Sequence, residues 1–254
     1  MSAGEPVDVS VVIAARDEAA NIGPCVESVR WAREVIVVEN DSTDDTVDRA
    51  LRAGANVFSN PFTTIGQQRN AAIARARNPW ILVVDADERG SLELADEIRS
   101  VTAEGRHDAY RIPRKNFFFG QEIRHGGWEH DRPVRLFRSV LRYNASRVHE
   151  HVDAPGSIGD LNSPLVHSPY ASIDQYFEKL NRYSSWWAED RFERGKRVGA
   201  FDVVSRPPVR FLSMYLLKRG WMDGAAGAVL ASLAGASVLA KYARLWALHH
   251  RERR

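Results

Sequence analysis

An apolar run closed by three acids reads Trp80-Ile81-Leu82-Val83-Val84-Asp85-Ala86-Asp87-Glu88. Its unbroken apolar part, rich in β-branched residues, predicts a strand buried on both faces, as in a parallel sheet. Such sheets bind their ligands at the carboxyl ends of the strands, where these acids lie. Because alternate residues of an extended chain point the same way, we expect Asp85 and Asp87 to converge on one ligand.

A hard cation is the ligand that this pair of acids predicts. A small number of oxygen ligands suits Mg²⁺ or Mn²⁺ that also carries substrate phosphates, whereas Zn²⁺ favours His or Cys. We assign the metal to Asp87 with Asp85 assisting. His167 ends a later strand-like segment and is a further candidate for a metal or diphosphate contact. The alternative for the acids alone is a solvated turn after a core strand, but the flanking sequence favours the cation.

Composition restricts the classes of function. The chain has 254 residues, 44% hydrophobic content and a net charge of +2, so it can bury a sizeable core and is not, as a whole, a polyanion binder. We therefore predict no nucleic-acid partner. Cys25 is the only cysteine, which excludes an intramolecular disulfide and suits the reducing cytoplasm. The first eight residues lack a basic segment followed by an apolar one, so no signal peptide is expected.

Strands and helices alternate in front of the acidic run. Short buried strands are predicted at 9–14, 35–39 and 56–58, and a helical pattern follows each of them. Parallel strands that alternate with helices predict a doubly wound α/β sheet. In such a sheet the loops after the first two strands lie beside Asp85 and Asp87.

Four sequence blocks occur in a recognisable order along this half of the chain. They are Val-Val-Ile-Ala-Ala-Arg-Asp-Glu-Ala-Ala-Asn-Ile at 11–22, Val-Val-Glu-Asn-Asp-Ser-Thr-Asp-Asp-Thr at 37–46, Gln-Gln-Arg-Asn-Ala-Ala at 67–72 and Asp-Ala-Asp-Glu at 85–88. Together they resemble the amino-terminal half of family 2 glycosyltransferases. The later segments 124–128, 134–138, 148–151 and 215–224 resemble bacterial lipopolysaccharide core glycosyltransferases of the WaaE type. The resemblance therefore covers nearly the whole chain.

The resemblance implies a fold and a substrate class. It implies the GT-A fold, a Rossmann-like, mostly parallel sheet flanked by helices. It also implies a nucleotide-sugar donor such as a UDP-sugar, and a glycan or glycolipid acceptor such as lipopolysaccharide core. The residues that it places around the nucleotide are Ala14, Arg16, Glu18, Glu39, Ser42, Arg69 and Asp85.

Two departures from the family pattern occur in this nucleotide-binding set. Asp17 stands where the family usually has Asn, and Glu39 stands where it usually has Asp. Glu39 can still accept the uracil N3 hydrogen, but its longer side chain leaves the choice of uridine over guanosine open. For Arg69 the alternative to a nucleotide or diphosphate contact is a solvated helix face.

Two carboxylates are candidates for the general base, which must lie near the acceptor hydroxyl and away from the leaving diphosphate. Asp131 precedes the strand predicted at 134–138, and Glu150 follows it. In family 2 enzymes an acid after the acceptor-side strand has this role, so the resemblance favours Glu150. The predicted reaction inverts the anomeric carbon, depends on a metal and forms no covalent enzyme intermediate.

The last fifth of the chain predicts a separate helical element. We place the catalytic domain at 1–205, with a nucleotide-sugar half at 1–108 and an acceptor half at 109–205, and a tail at 206–254 that begins at Arg206-Pro207-Pro208. The uncharged interval between Asp223 and Lys241 is rich in Gly, Ala and Ser and is shorter than a spanning helix. Aromatic and basic residues flank it, which predicts a hairpin lying on the inner face of the cytoplasmic membrane.

Other interpretations stay open at this point. The tail can instead pack on the catalytic domain or on a partner subunit, and the oligomeric state is not predicted. A sugar-nucleotide pyrophosphorylase also joins an α/β sheet to a metal-binding acid, but it needs a glycine-rich basic loop where this chain has Ala14-Ala15-Arg16-Asp17-Glu18. A non-catalytic nucleotide-sugar-binding or scaffold protein is the third possibility, and the presence of Asp85, Asp87 and Glu150 argues against it.

Overall fold

The structure is a computed structural model that describes residues 5–61, 64–144, 150–170 and 172–251. The chain forms two compact units: unit 1 is Met1–Arg114 with Asp131–His167, and unit 2 is Lys115–His130 with Ser168–Arg254. In chain order the elements are β1 (Val7–Ala15), α1 (Ala19–Ser28), β2 (Ala32–Glu39), α2 (Thr46–Arg52), β3 (Asn56–Ser59), α3 (Ile65–Ile73), β4 (Trp80–Asp85), β5 (Glu88–Arg89), α4 (Leu92–Glu104), β6 (Ala109–Arg111), β7 (Arg114–Phe118), β8 (Gln121–Ile123), β9 (Val134–Arg138), β10 (Ile158–Asp160), β11 (Leu165–His167), α5 (Ile173–Glu193), α6 (Ala200–Leu212), a π-helical turn (Ser213–Leu217), a 3₁₀ turn (Gly220–Asp223) and α7 (Gly224–Arg251).

Unit 1 contains a seven-stranded, mostly parallel sheet in the order β10-β6-β9-β4-β1-β2-β3. The pairs from β4 to β3 are all parallel, and β9 runs antiparallel to both of its neighbours. The predicted α/β class with a mostly parallel sheet is therefore confirmed. The antiparallel β9 lies directly beside β4, which carries the acids.

Apolar side chains cover both faces of the central strands. Val11 and Ile13 of β1 pack with α1 and α4 on one face, while Val12 packs with Ala72 and Ile73 of α3 on the other. All three strand residues are completely buried. Each buried side chain of this size contributes about 1.5–3 kcal/mol relative to exposure, which explains the continuous apolar run in the sequence.

Unit 2 combines a hairpin with three helices. Strands β7 and β8 pair antiparallel and are joined by Phe119 and Gly120, both with positive φ (47° and 79°), the backbone geometry that matches the twist of a two-residue hairpin. Met214, Leu230 and Phe118 belong to the apolar core of this unit.

The predicted start of the tail lies inside a helix. Pro207 and Pro208 are within α6, so the chain does not break there. A Cβ added to Gly235 of α7 would lie 3.3 Å from the Pro207 carbonyl oxygen, so the glycine allows α6 and α7 to approach closely at this point. The division of function at residue 205 stays a prediction, since the compact units divide at other residues.

Candidate active site

The strand register brings the predicted loops to one edge of the sheet in unit 1. Ala14 of β1 pairs with Asp85 of β4, and Ala15 pairs with Glu39 of β2. The loop after β1, the acid that ends β2 and the acids after β4 are therefore neighbours at the carboxyl edge, where α/β sheets bind ligands.

Asp85 is bonded to three arginines. Its Oδ1 accepts a hydrogen bond from Arg69 Nη2 at 2.5 Å, and its Oδ2 accepts from Arg114 Nη2 at 2.9 Å and from Arg135 Nη2. Burial by itself would raise the pKa of Asp85, but the charges of Arg135, Arg69 and Arg114 outweigh burial and hold the pKa well below its usual range. Asp85 is therefore a permanent anion whose two oxygens already have cationic partners.

Glu88 is the buried acid of this cluster and contacts two of the same arginines. Its side chain is fully buried, and Oε1 accepts from Arg114 Nε at 2.6 Å and from Arg135 Nη2 at 3.2 Å. Its Oε2 accepts from the Asp85 backbone N–H at 2.8 Å. Glu88 therefore holds both the arginines and the chain end that carries Asp85.

Sequence reasoning missed Arg114 and Arg135. Alternation with Val134 and Leu136 would place Arg135 on an outward face, but β9 buries Arg135, Leu136 and Phe137 in succession, and a buried guanidinium requires an anion. Nothing local identified Asp85 as that anion, since the two residues are 50 positions apart.

Asp87 and His167 lie side by side. His167 Nε2 is 3.7 Å from Asp87 Oδ1, and both side chains are about 15% exposed. The pairing of β11 with β5 sets His167 opposite Glu88 and so places the imidazole at the acidic turn. Burial, followed by the charge of Arg114, lowers the pKa of His167 to about 4 against the opposing effects of Asp85 and Asp131. The imidazole is therefore neutral at pH 7, the form that binds metals.

These contacts decide how well the residues fit a divalent cation. Within the part of the chain that the structure describes, no group of three or more His, Cys, Asp or Glu side chains is arranged to hold a metal ion. Asp87 and His167 form a two-residue set, which fits a cation that takes its remaining ligands from a diphosphate and water. Asp85 fits less well as an assisting ligand, because its oxygens are bonded to arginines.

Each candidate for the general base is bonded to one of the arginines that contact Asp85. Glu150 Oε1 accepts a hydrogen bond from Arg69 Nη1 at 3.1 Å, and Asp131 Oδ2 accepts from Arg114 Nη1 at 3.2 Å. Val148 and His149, from the same sequence block as Glu150, lie outside the described residues.

The two loops predicted to hold the nucleoside are hydrogen-bonded to each other. Thr43 N–H donates to Asp17 Oδ1 at 2.7 Å, and Glu18 N–H donates to Thr46 Oγ1 at 2.8 Å. Asp17 has a φ of 52°, a left-handed conformation that Asn and Asp adopt more readily than most residues, so Asp can replace the family's usual Asn here.

Glu39 is held within its own loop. Its Oε2 accepts from the Ser42 N–H at 2.9 Å. Burial would raise the pKa of Glu39, but hydrogen bonds from the Ser42 backbone and from the Ser59 and Ser42 side chains outweigh it and lower the pKa. Glu39 is thus an ionised hydrogen-bond acceptor, and Arg16 is exposed on the first loop.

Comparison with known proteins agrees with this arrangement. The model of glycosyl transferase family 2 matches residues 10–95, and an uncharacterized glycosyltransferase of Rickettsia typhi is 32% identical over 87% of this chain and 80% of its own length. The chain belongs to glycosyltransferase family 2. LpsC of Rhizobium meliloti, a lipopolysaccharide core biosynthesis glycosyltransferase, is 28% identical over 92% of this chain and 93% of its own. Residues 1–349 of S. aureus TarS superpose with a TM-score of 0.49 and 15% identity over 96% of this chain and 91% of that chain.

Family membership confirms that the protein is an enzyme with the GT-A fold. It also sets aside the pyrophosphorylase and scaffold alternatives. The first loop of this glycosyltransferase ends in the ordered Asp17–Thr43 contact, and no glycine-rich phosphate loop stands at that position in the sequence.

Proposed function

We propose that this glycosyltransferase transfers a sugar from a UDP-sugar to a cell-envelope glycan or glycolipid, with inversion of the anomeric carbon. The observation that carries the proposal is the placement of Asp87 beside the neutral His167 at the carboxyl edge, with Glu150 held in the same unit by Arg69. Lipopolysaccharide core as the acceptor is supported by the name of the Rhizobium meliloti relative.

Asp87 and His167 would hold a Mg²⁺ or Mn²⁺ ion at this edge. When bound, the ion supplies positive charge that stabilises the departing diphosphate. Asp87 contributes a carboxylate and His167 a neutral ring nitrogen, and their 3.7 Å separation lets both face one position. We assign Asp85 a different task, namely to keep Arg69, Arg114 and Arg135 in place.

The nucleoside would lie across the loops after β1 and β2. Glu39 is ionised and can accept the uracil N3 hydrogen, as the resemblance implies. The hydrogen bonds between the two loops set their spacing before the donor binds, so less ordering is needed on binding. Ala14, Arg16, Glu18 and Ser42 belong to the same proposed surface.

Glu150 is the proposed general base. It removes the proton of the acceptor hydroxyl as that oxygen attacks the anomeric carbon, so that no alkoxide has to form in advance. Asp131 is the alternative, and the structure attaches it to Arg114 in the same way.

The donor class can be tested directly. We expect the full chain with Mn²⁺ to hydrolyse or transfer from a UDP-sugar faster than from an ADP-sugar, because Glu39 can accept the uracil N3 hydrogen whereas adenine has no ring N–H at its Watson–Crick edge. Guanine does offer a ring N–H to a carboxylate, so GDP-mannose is the comparison that decides between uridine and guanosine. A panel of UDP-, GDP- and ADP-sugars, read by release of the nucleoside diphosphate, measures this. Equal rates across the three bases would contradict the uridine assignment, and no release from any donor would contradict the donor class.

We also propose that the partner of unit 2 is the anionic inner surface of the cytoplasmic membrane. One helical stretch among the described residues, 220–250, is long and apolar enough to cross a membrane by length and composition. The more strongly exposed apolar surface, however, lies on α6 and the two turns after it. Its members are Phe201, Val204, Val209, Leu212, Leu216, Leu217, Trp221 and Met222.

Basic side chains accompany this surface. The exposed cations of residues 196–222 are Lys196, Arg197, Arg206, Arg210, Lys218 and Arg219, and Asp202 is the one acid in the same range. A surface that combines apolar and basic side chains in this way matches an anionic lipid headgroup layer. We therefore assign the membrane-contacting surface to α6 and the turns after it, and not to the uncharged interval of α7.

Vesicle sedimentation of the full chain tests the membrane proposal. We expect binding to vesicles of phosphatidylcholine with phosphatidylglycerol, weakened by salt because the basic contribution is screened, and reduced several-fold by Phe201→Ser or Leu217→Ser. Val140→Ser is the matched control, since Val140 is equally exposed in unit 1 (81%). Salt-resistant, alkali-resistant binding would indicate a spanning helix instead. Recovery of the protein in the supernatant at low salt would contradict the proposal, and self-association without lipid would indicate a second copy.

A further inference from the structure

One face of α3 contacts Tyr143, Asn144 and Glu150. Asn70 Nδ2 donates to the Tyr143 carbonyl at 2.8 Å, and the Tyr143 N–H donates back to Asn70 Oδ1 at 2.9 Å. A Cβ added to Gly66 would lie 3.4 Å from Glu150 Cβ and 3.1 Å from the Asn144 carbonyl oxygen. The helix is therefore in direct contact with these residues, and a side chain at 66 would crowd the Asn144 carbonyl oxygen.

Arg69, on the same helix, joins Glu150 to the end of β4. Its side chain is 7% exposed, with Nη1 donating to Glu150 and Nη2 donating to Asp85. The guanidinium carbon also lies 5.1 Å from the centre of the Tyr143 ring. Both terminal nitrogens of the guanidinium thus contact carboxylates. The Tyr143 ring and the backbone of α3 further restrict its orientation.

We infer that Arg69 is a positioning residue for the general base. Its planar fork donates to two carboxylates at once, so it sets the distance between Glu150 and the strand end that carries the donor-side acids. Its positive charge also separates Asp85 and Glu150, two anions that would otherwise repel each other. The guanidinium is buried and both of its terminal nitrogens already donate to carboxylates, which favours positioning over a direct contact with the nucleotide.

This inference rests on the proposed role of Glu150, so the experiment has to separate the two. The variants are Arg69→Gln, Glu150→Gln and the double substitution in the full chain. Mn²⁺-dependent turnover of the donor selected by the panel gives kcat, and calorimetry with UDP gives donor affinity. We expect Arg69→Gln to lower kcat about 10²-fold with unchanged UDP affinity, because misplacing a catalytic group by about 1 Å costs a factor of that size.

The double substitution decides whether Arg69 acts through Glu150. If Arg69 acts through Glu150, the double variant is no slower than Glu150→Gln alone, because residues that act as a unit are not additive. If the losses in kcat of the two single variants multiply in the double variant, Arg69 does not act through Glu150 and the positioning role is overturned. A tenfold weaker UDP affinity in Arg69→Gln also overturns it and would indicate that Arg69 contacts the nucleotide. A nearly active Glu150→Gln overturns the base assignment itself and the inference with it.

Two further variants distinguish a positioning effect on kcat from a general loss of folding. Arg77→Gln removes an exposed arginine, 85% accessible, just beyond α3, and we expect kcat to be unchanged. Asn70→Ala leaves Arg69 in place but removes the two hydrogen bonds to Tyr143, so it should lower kcat in the same non-additive way with Glu150→Gln. If the losses in kcat of Asn70→Ala and Glu150→Gln multiply when the two substitutions are combined, α3 does not position Glu150.

Discussion

Glu150→Gln is expected to slow sugar transfer by about 10²–10⁴ while UDP affinity stays unchanged, since removal of a general base costs a factor of this order and the donor does not need the base to bind. Gln keeps the shape of the side chain and can still accept from Arg69 Nη1, whose contact with Glu150 is 3.1 Å. The change therefore removes the proton acceptor and little else. Initial rates at saturating donor, together with calorimetry, measure both quantities.

Asp131→Asn is the matched control for this result. Asp131 accepts from Arg114 just as Glu150 accepts from Arg69, so the two substitutions disturb the arginines to a similar degree. We expect Asp131→Asn to retain most of the activity. If Asp131→Asn is the slow variant and Glu150→Gln is nearly as active as the parent, Asp131 is the base.

Asp87→Ala is expected to lower turnover by at least about 10³ and to remove the effect of Mn²⁺ on UDP affinity. Metal stabilisation of the leaving group supplies several kcal/mol, and each 1.4 kcal/mol corresponds to a factor of ten in rate. The substitution leaves the arginine contacts of Asp85 and Glu88 untouched, so the fold should be retained. Calorimetry with UDP, with and without Mn²⁺, and thermal unfolding measure the two effects.

The control for Asp87→Ala is Asp96→Ala, which removes an exposed carboxylate, 75% accessible, on α4. It should leave both turnover and Mn²⁺-dependent affinity unchanged. An Asp87→Ala protein that still binds UDP more tightly with Mn²⁺ would disprove the metal assignment. A loss of the metal effect in Asp85→Asn alone would place the ion on Asp85 instead.

The parallel sheet and the position of the ligand edge were predictable from local pattern. Continuous β-branched runs such as Val11–Ile13 form strands buried on both faces, and intervening helices make neighbouring strands parallel. Once the strands are parallel, their carboxyl ends coincide, so Ala14, Glu39 and Asp85 had to meet at one edge, as the register confirms. Each step depends on residues close together in the chain or on a general rule of topology.

Tertiary structure decided the partners of these acids. Arg114 and Arg135 reach Asp85 from 29 and 50 residues away, and no periodic pattern specifies which buried cation meets which anion. The neutral state of His167 likewise follows from burial and from the nearby Arg114, and the pairing of β11 with β5 alone brings it beside Asp87. On these contacts we propose that Asp85 holds the arginines, whereas the sequence predicted that it assists in holding a metal.

Tertiary structure also decided the length and the exposed face of α6. A sequence reader expects a break at Pro207 and Pro208, because proline removes a helical hydrogen bond, and yet the helix continues through both. Packing against α7, with Gly235 closely approaching Pro207, stabilises a helix that its local sequence disfavours. Amphipathic spacing alone could assign Phe201 and Val204 either to a core or to a surface, and only the packed helices of unit 2 leave them exposed.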